Sequence, residues 1–364
     1  MIITVRSENE LDRFVNLPPL FYCGDRNWVK PLIGTSADEF RLPANPALKY
    51  HELELYLCVK NNTPLGRIAA FTDRRYNAIH SENTAFFGFF ECLPDGPAAK
   101  ELFSAVERFA KTRRIQNIIG PVDFSTNYQA GLLIDGYTRP SVMTPYNKKY
   151  YPRLVESNRY KKLVDLFAYQ FTREMSLPDR LHRVAEIVRK RHPEVSVRPL
   201  NLTTRFNRTN LLTSLYNESF SDNWGYVPMT PREFAYLLKT LTALEHTALN
   251  YIAYAGSKPV GLLLTVPDLY SAARSPTVTD QAANPEGFRE LRVTVLGIVP
   301  AYRKRGIEAE MGLRLWTDAL DAGYDKLEFS VILENNAPMN NFVRREFGLP
   351  VSKTFRIYEK PVEY

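Results

Sequence analysis

The segment LRVTVLGIVPAYRKRGIEAEMGLRLW (291–316) groups more residues of chemical use than any other stretch of the chain. Val293 and Val295 alternate with Arg292 and Thr294, which predicts a strand with one apolar and one polar side. Pro300 ends that strand. Ile307, Met311, Leu315 and Ala319, four residues apart, predict a helix after it. Gly306 stands at the helix entrance, where backbone can approach a ligand closely. A helix start offers unpaired N–H groups and the positive end of the dipole, so this turn is expected to hold an anion. Arg303, Lys304 and Arg305 add positive charge, and a pyrophosphate fits that description. Gly297, Ile298 and Val299 end the strand and Ile307 opens the helix, so these residues complete the expected binding turn. A backbone N–H near Gly297 or Ile298 is the expected donor to a carbonyl oxygen that becomes anionic under attack.

A second grouping is LLTSLYNESFSDNWGYVPMTPREFAYLLKTL (211–241). Thr230, Pro231 and Glu233 spell a capping box, which predicts a helix start there. Leu211, Leu215 and Phe220 are expected on the packing side of the helix before it. Trp224 and Tyr226 between the two helices are expected to wall an acceptor site, with Asn217 and Asn223 as its polar contacts. Glu218, Asp222, Tyr226 and Glu334 are the candidates to take a proton from an attacking amine, and the sequence does not choose among them. The plainer reading is a helix connection whose aromatic residues pack beneath it. In the first half, QNIIGPVDFSTNYQAGLLIDGY (116–137) puts Asn127 and Tyr128 after a strand. They are candidates to line a substrate cleft between the halves. The alternative there is a loop shaped by its glycines.

The elements that carry these residues occur twice. YLCVKNNTPLGRIAAF (56–71) and YIAYAGSKPVGLLLTV (251–266) both read strand, turn, strand. Each is followed by a strand (84–92; 290–299), an amphipathic helix (97–113; 306–322), another strand (116–122; 326–332), and a closing helix and strand (150–171; 339–360). The expected architecture is α/β, an α+β mixed sheet in two similar domains: 1–175, a linker helix within 176–199, and 200–364. An irregular segment at 268–289 is long enough to be functional or mobile.

At 364 residues, with 45% hydrophobic and 24% charged, the chain can bury two cores. No run of 18 apolar residues spans a membrane, and the N-terminus does not read as a secretion signal. Three cysteines without ligand spacing and five scattered histidines point to a reduced, cytoplasmic protein without a metal. The net charge of +7 favours anionic partners, but no basic stripe for nucleic acid is visible. The helix at 178–191 carries five cations and an apolar side of Leu181, Val184, Ile187 and Val188. It is either a domain connector or a peripheral membrane contact.

The turn at 303–308 resembles the cofactor motif of the GNAT superfamily, Gln/Arg-x-x-Gly-x-Gly/Ala. Arg303 and Gly306 match, and Glu308 departs from the pattern. Two like charges ~4 Å apart repel by about 4 kcal/mol at an effective dielectric near 20, so Glu308 is expected to point away from a bound phosphate. Asn335, Asn336 and Gly348 also stand at nearly the family's positions, whereas Arg344 occupies that of the frequent tyrosine acid. The first half, with LPDGPAAKEL (93–102) in place of the motif, resembles a degenerate unit without coenzyme A. FYCGDRNWVKPL (21–32), NPALKYHELELYL (45–57), GRIAAFTDRRYN (66–77) and RIYEKPV (356–362) resemble bacterial two-domain GNAT proteins, a group that includes ceramide-synthase-type N-acyltransferases. The resemblance implies a tandem GNAT-like fold and acyl transfer from acyl-CoA to an amine, with a long-chain donor and a sphingoid base as acceptor. Two other readings stand beside it: a GNAT-fold binding protein without activity, and an aminoacyl transferase that uses aminoacyl-tRNA.

Overall fold

The structure is a computed structural model and describes residues 1–31, 35–202, 209–242, 248–268 and 289–364. In chain order the first elements are β1 (Ile2–Thr4), α1 (Glu8–Val15), α2 (Leu17–Phe21), β2 (His51–Lys60), β3 (Thr63–Asp73), α3 (Arg74–His80) and β4 (Thr84–Cys92). Then come α4 (Gly96–Thr112), β5 (Asn117–Gly120), β6 (Leu132–Asp135), α5 (Tyr151–Ser157), β7 (Lys161–Thr172), α6 (Asp179–Arg191), β8 (Val195–Pro199) and α7 (Thr209–Phe220). The last are α8 (Pro231–Thr242), β9 (Tyr251–Ala255), β10 (Lys258–Pro267), β11 (Glu290–Ile298), α9 (Ile307–Asp321), β12 (Lys326–Leu333), α10 (Ala337–Asn341) and β13 (Val351–Pro361). The expected irregular segment at 268–289 lies outside the described residues except for its two ends.

Two compact units result, one of residues 1–166 with 353–364 and one of residues 167–352. In the first, the strands run β1-β2-β3-β4-β5-β13-β7, with β6 beside β13. The β2–β3 hairpin turns on Asn61 and Asn62, whose φ values of +48° and +60° suit asparagine. Asp95 caps α4 by accepting from the Ala98 N–H (2.9 Å), with Pro97 in the first turn. The apolar face of α4, including Leu102, Phe103, Val106 and Phe109, closes the core with Phe87, Phe90 and Tyr160.

In the second unit the order is β7-β12-β11-β10-β9-β8. The predicted stripe Ile307, Met311, Leu315 and Ala319 is buried along α9. The Thr230–Glu233 capping box opens α8, with both reciprocal bonds present (2.8 and 3.3 Å). Leu215 of α7 packs inward as expected. Leu211 is exposed and Leu212 takes the inner position.

Two assignments differ from expectation. The final strand was expected to close the C-terminal half. Instead, β13 pairs with β5 (Tyr358↔Gly120) and β6 (Phe355↔Leu133). Its charged side chains find partners in the same unit: Arg356 binds Asp165 (2.8 and 3.0 Å) and Lys360 binds Glu107 (2.5 Å). Alternation along a strand shows which face is apolar, and says nothing of which strand lies beside it. Helix α6 turns Leu181, Ala185 and Val188 inward and packs against α9, which leaves Ile187 exposed. Its apolar side is therefore covered by protein, and three of its five cations are paired: Arg180 with Glu346, Arg189 with Glu310 and Lys190 with Glu186. Among the described residues no helix is long and apolar enough to cross a membrane.

Candidate functional site

The site begins with a parallel strand pair that comes apart. β11 and β12 pair from Glu290↔Lys326 to Val293↔Phe329, and no further, although both strands continue. At that point β11 also bulges against β10. Leu264 faces Val295 and Thr265 faces Val293, so Thr294 is the extra residue. A bulge bends its strand and raises the local twist, which steers β11 away from β12. The resulting fork opens into a cleft of ≈ 80 Å³. Thr294 and Leu296 of β11 and Ser330, Val331 and Leu333 of β12 line it, together with Phe220, Asn223, Asn336 and Met339. This is about half the volume of a cavity that takes benzene, so the cleft suits a small group with a few heavy atoms.

The vertex of the fork is polar and buried. Arg292 donates from Nε to Ser330 Oγ (2.9 Å) and from Nη2 to the Ser330 carbonyl (3.0 Å). Ser330 Oγ donates to Glu328 Oε1 (2.7 Å), and Gln170 Nε2 donates to Glu328 Oε2 (3.0 Å). Arg292 and Glu328 are buried strand partners, and Ser330 Oγ bridges them. Behind the β12 wall, Asn340 Nδ2 donates to the carbonyls of Leu333 (2.8 Å) and Asn336 (3.1 Å) and fixes the strand-to-helix turn. Asn340 Oδ1 in turn accepts from the Tyr169 hydroxyl (2.8 Å), to which Arg344 Nε donates (3.0 Å). Burial raises the Tyr169 pKa, and the bond from Arg344 opposes the shift.

No protein-family model matches the chain. It is 28% identical over 381 aligned positions to Protein YghO of Escherichia coli strain K12, which covers all of this chain and 95% of that one. It is 28% identical over 379 positions to the bacterial ceramide synthase of Caulobacter vibrioides, covering 99% and 97%. Among solved structures, a tandem GNAT protein from the clavulanic acid biosynthesis pathway superposes with a TM-score of 0.59 at 9% identity, covering 100% of this chain and 99% of that one. A GCN5-related N-acetyltransferase from Sphaerobacter thermophilus gives 0.52 at 12% identity, covering 100% and 96%. The chain has a tandem GNAT fold.

The residues expected at the GNAT anion turn are distributed as follows. α9 starts at Gly306 (φ +80°) with no side-chain cap, and Lys304 before it also has positive φ (+62°). A Cβ on Gly306 would lie 2.9 Å from Val184 and Val188 of α6, so that side of the glycine faces protein. Arg303 is tied down by three bonds: to the Ile298 carbonyl (3.2 Å), the Ser219 carbonyl (3.0 Å) and Asp222 Oδ2 (2.6 Å). It thus clamps the end of α7 to the turn, with a candidate base as its ion partner. Lys304 is exposed, and Arg305 stacks over Tyr302. Glu308 is half-buried. Burial raises its carboxyl pKa, its own backbone N–H opposes the shift, and the nearby Glu346 adds to it.

The expected oxygen-holding N–H groups lie away from the cleft lining. A Cβ on Gly297 would lie 2.7 Å from Ser219 Cβ, so α7 covers that position. The Val299 N–H is bonded to the Val260 carbonyl (3.0 Å), and Ile298 pairs with Gly261 on β10. Of the expected acceptor residues, Asn223 lines the cleft. Asn217 uses both ends of its amide on the Met229 backbone (2.9 and 3.0 Å) and so holds the loop in place. Trp224 and Tyr226 are half-buried outside the lining, and burial raises the Tyr226 pKa. Glu218 and Asn335 are exposed, Asn336 caps α10 and lines the cleft, and Glu334 is outside the lining. Asn127 and Tyr128 belong to the other unit, where the Asn127 N–H donates to Ser125 Oγ (3.2 Å).

Sequence reasoning missed Glu328 and Ser330. The signal was present: in KLEFSVI they alternate with Leu327, Phe329 and Val331. A polar side on a strand reads as solvent-facing unless the other layers are known.

Proposed function

We propose that the protein is an N-acyltransferase that moves an acyl group from acyl-CoA to an amine, with the thioester in the β11–β12 fork. The observation that carries this reading is the open fork beside an uncapped helix start, within a tandem GNAT fold. Strands that part leave main-chain groups on their facing edges without a strand partner, and a pantetheine arm or a thioester carbonyl can supply one. The start of α9 suits the pyrophosphate, with Lys304 free to add charge and Arg303 acting mainly as a clamp on α7. Only the second unit is assigned this role.

The acceptor is a primary amine. The 28% identity over nearly the full length of a ceramide synthase supports a long-chain donor and a sphingoid base as acceptor. The ≈ 80 Å³ cleft accommodates the reacting end, so a long chain must extend beyond it. Release of free thiol from acetyl-CoA and palmitoyl-CoA, screened against sphinganine and small primary amines, tests the reading. An amine-dependent release with one of these pairs is expected. Coenzyme A binding without any amine-dependent release favours the binding-protein reading, and no coenzyme A binding at all removes both.

A further inference from the structure

We propose that Ser330 is the catalytic residue that accepts the amine proton, acting as a relay to the buried Glu328. This rests on the acyltransferase reading above and adds to it a residue that the family motif does not specify.

The argument starts from the valence of one hydroxyl. A serine has one donor and two acceptor positions. Ser330 spends its donor on Glu328 Oε1 (2.7 Å) and one acceptor position on Arg292 Nε (2.9 Å). One lone pair is left, and Ser330 lines the cleft immediately past the last β11–β12 pair. An N–H arriving through the cleft therefore meets an oxygen that already has a carboxylate behind its proton. The groups facing Glu328 include Arg292 from β11, Gln170 from β7 and Ser330 from its own strand. The carboxylate form of Glu328 is the one that accepts a proton, and Arg292 stands at its register position on β11. The exposed carboxylates Glu218 and Asp222 are not needed for the step, and Asp222 is occupied by Arg303.

The step balances without a further reactant. The amine nitrogen bonds to the thioester carbonyl carbon, and the C–S bond breaks with its electron pair leaving on sulphur. One amine proton passes to Ser330 Oγ as the Ser330 proton passes to Glu328 Oε1. The products are an amide, a coenzyme A thiolate and a neutral Glu328, so the negative charge has passed from the carboxylate to sulphur.

The test uses the full chain with acetyl-CoA and palmitoyl-CoA as donors, and sphinganine and butylamine as acceptors. Ser330→Ala removes only the hydroxyl, so it is expected to fold and to bind coenzyme A within threefold of the wild type. Its kcat is expected to fall by about 10² to 10⁴, the usual share of a positioned base. Its pH–rate profile should lose the limb set by the relay. Glu328→Gln should give the same loss of limb. Because it removes a buried negative charge at the register position of Arg292, it is read only alongside a coenzyme A titration that shows the fork intact. A Ser330→Ala enzyme with kcat within threefold and an unchanged pH profile overturns the relay while leaving the transferase reading in place. A Ser330→Ala protein that loses coenzyme A affinity in proportion to its rate also overturns it, because the hydroxyl is then structural. A wild-type protein that binds coenzyme A but releases no thiol with either amine overturns the transferase reading and the relay with it.

Discussion

The two units contain the same fork, and one of them has filled it with its own chain. In the first unit β4 and β5 pair in parallel from Thr84↔Asn117 to Phe86↔Ile119 and then part, as β11 and β12 do after Val293↔Phe329. β4 also shifts register against β3 just past that point, and Phe89 there has φ +49°. The chain leaving β5 then crosses back. The Val122 N–H donates to the Phe87 carbonyl (2.8 Å), and Asp123 Oδ1 accepts from the Phe89 N–H (2.8 Å). The approach is so close that a Cβ on Gly88 would lie 2.1 Å from the Val122 carbonyl oxygen. The helix starts differ in the same sense. Asp95 caps α4, whereas α9 begins at Gly306 without a side-chain cap. In the first unit carboxylates of the chain occupy both places where a ligand would need backbone N–H groups. A duplicated fold thus keeps its shape when these backbone groups are satisfied internally, because a buried N–H needs a partner whatever its origin.

Filling the second fork should have the largest effect. Leu296→Trp puts bulk into the ≈ 80 Å³ cleft and is expected to weaken coenzyme A binding by more than about 100-fold in calorimetry. The melting temperature should fall by only a few degrees. Unchanged affinity would move the donor away from this fork.

Opening the first fork should cost stability and yield no new binding. Asp123→Ala leaves the Phe89 N–H without its acceptor and is expected to cost about 1–3 kcal/mol in chemical denaturation. Coenzyme A affinity should stay the same, and a new binding event would undo the contrast between the units. Asp123 also gives a pH signature. Burial raises its carboxyl to about 7, against an ordinary value of 3.8, and the Phe89 N–H and Arg67 only partly offset that. A native pKa above the unfolded one means the charged form is disfavoured in the fold. Stability from this group is therefore present at low pH and is lost as pH rises between about 4 and 7. Asp123→Asn keeps an acceptor oxygen and should flatten that decline, by about 4 kcal/mol at pH 8. A decline as steep in the variant as in the wild type would show that the Asp123 pKa is not raised in the native protein.

The smallest effect is expected at Glu308. Its carboxylate sits in the first turn of α9, where a phosphate would be its neighbour. Glu308→Ala should tighten coenzyme A binding by about twofold to fivefold, corresponding to 0.3–1 kcal/mol, and the gain should shrink in high salt. Weaker binding in the variant would mean that Glu308 contributes to holding the ligand.

The sequence by itself determined the repeated order of elements, the Asn61–Asn62 turn, the Thr230 capping box and the stripe along α9, all of which depend on neighbours within a few residues. It also located the helix start at Gly306 and the fork-forming strands, since a breaker and an alternation are local marks. Tertiary structure alone decided the rest. It paired β13 with β5 and β6, turned the apolar side of α6 onto α9, and engaged Arg303 with Asp222 across 81 positions of chain. It also buried Glu328 and Ser330 on the strand face they share with Arg292, which put a polar strand face at the vertex of the fork. The physical reason is the same in each case. Hydrophobic period and capping chemistry are written in adjacent residues, but the partner of a strand edge or a charge is set by which distant segment reaches it first and satisfies it best.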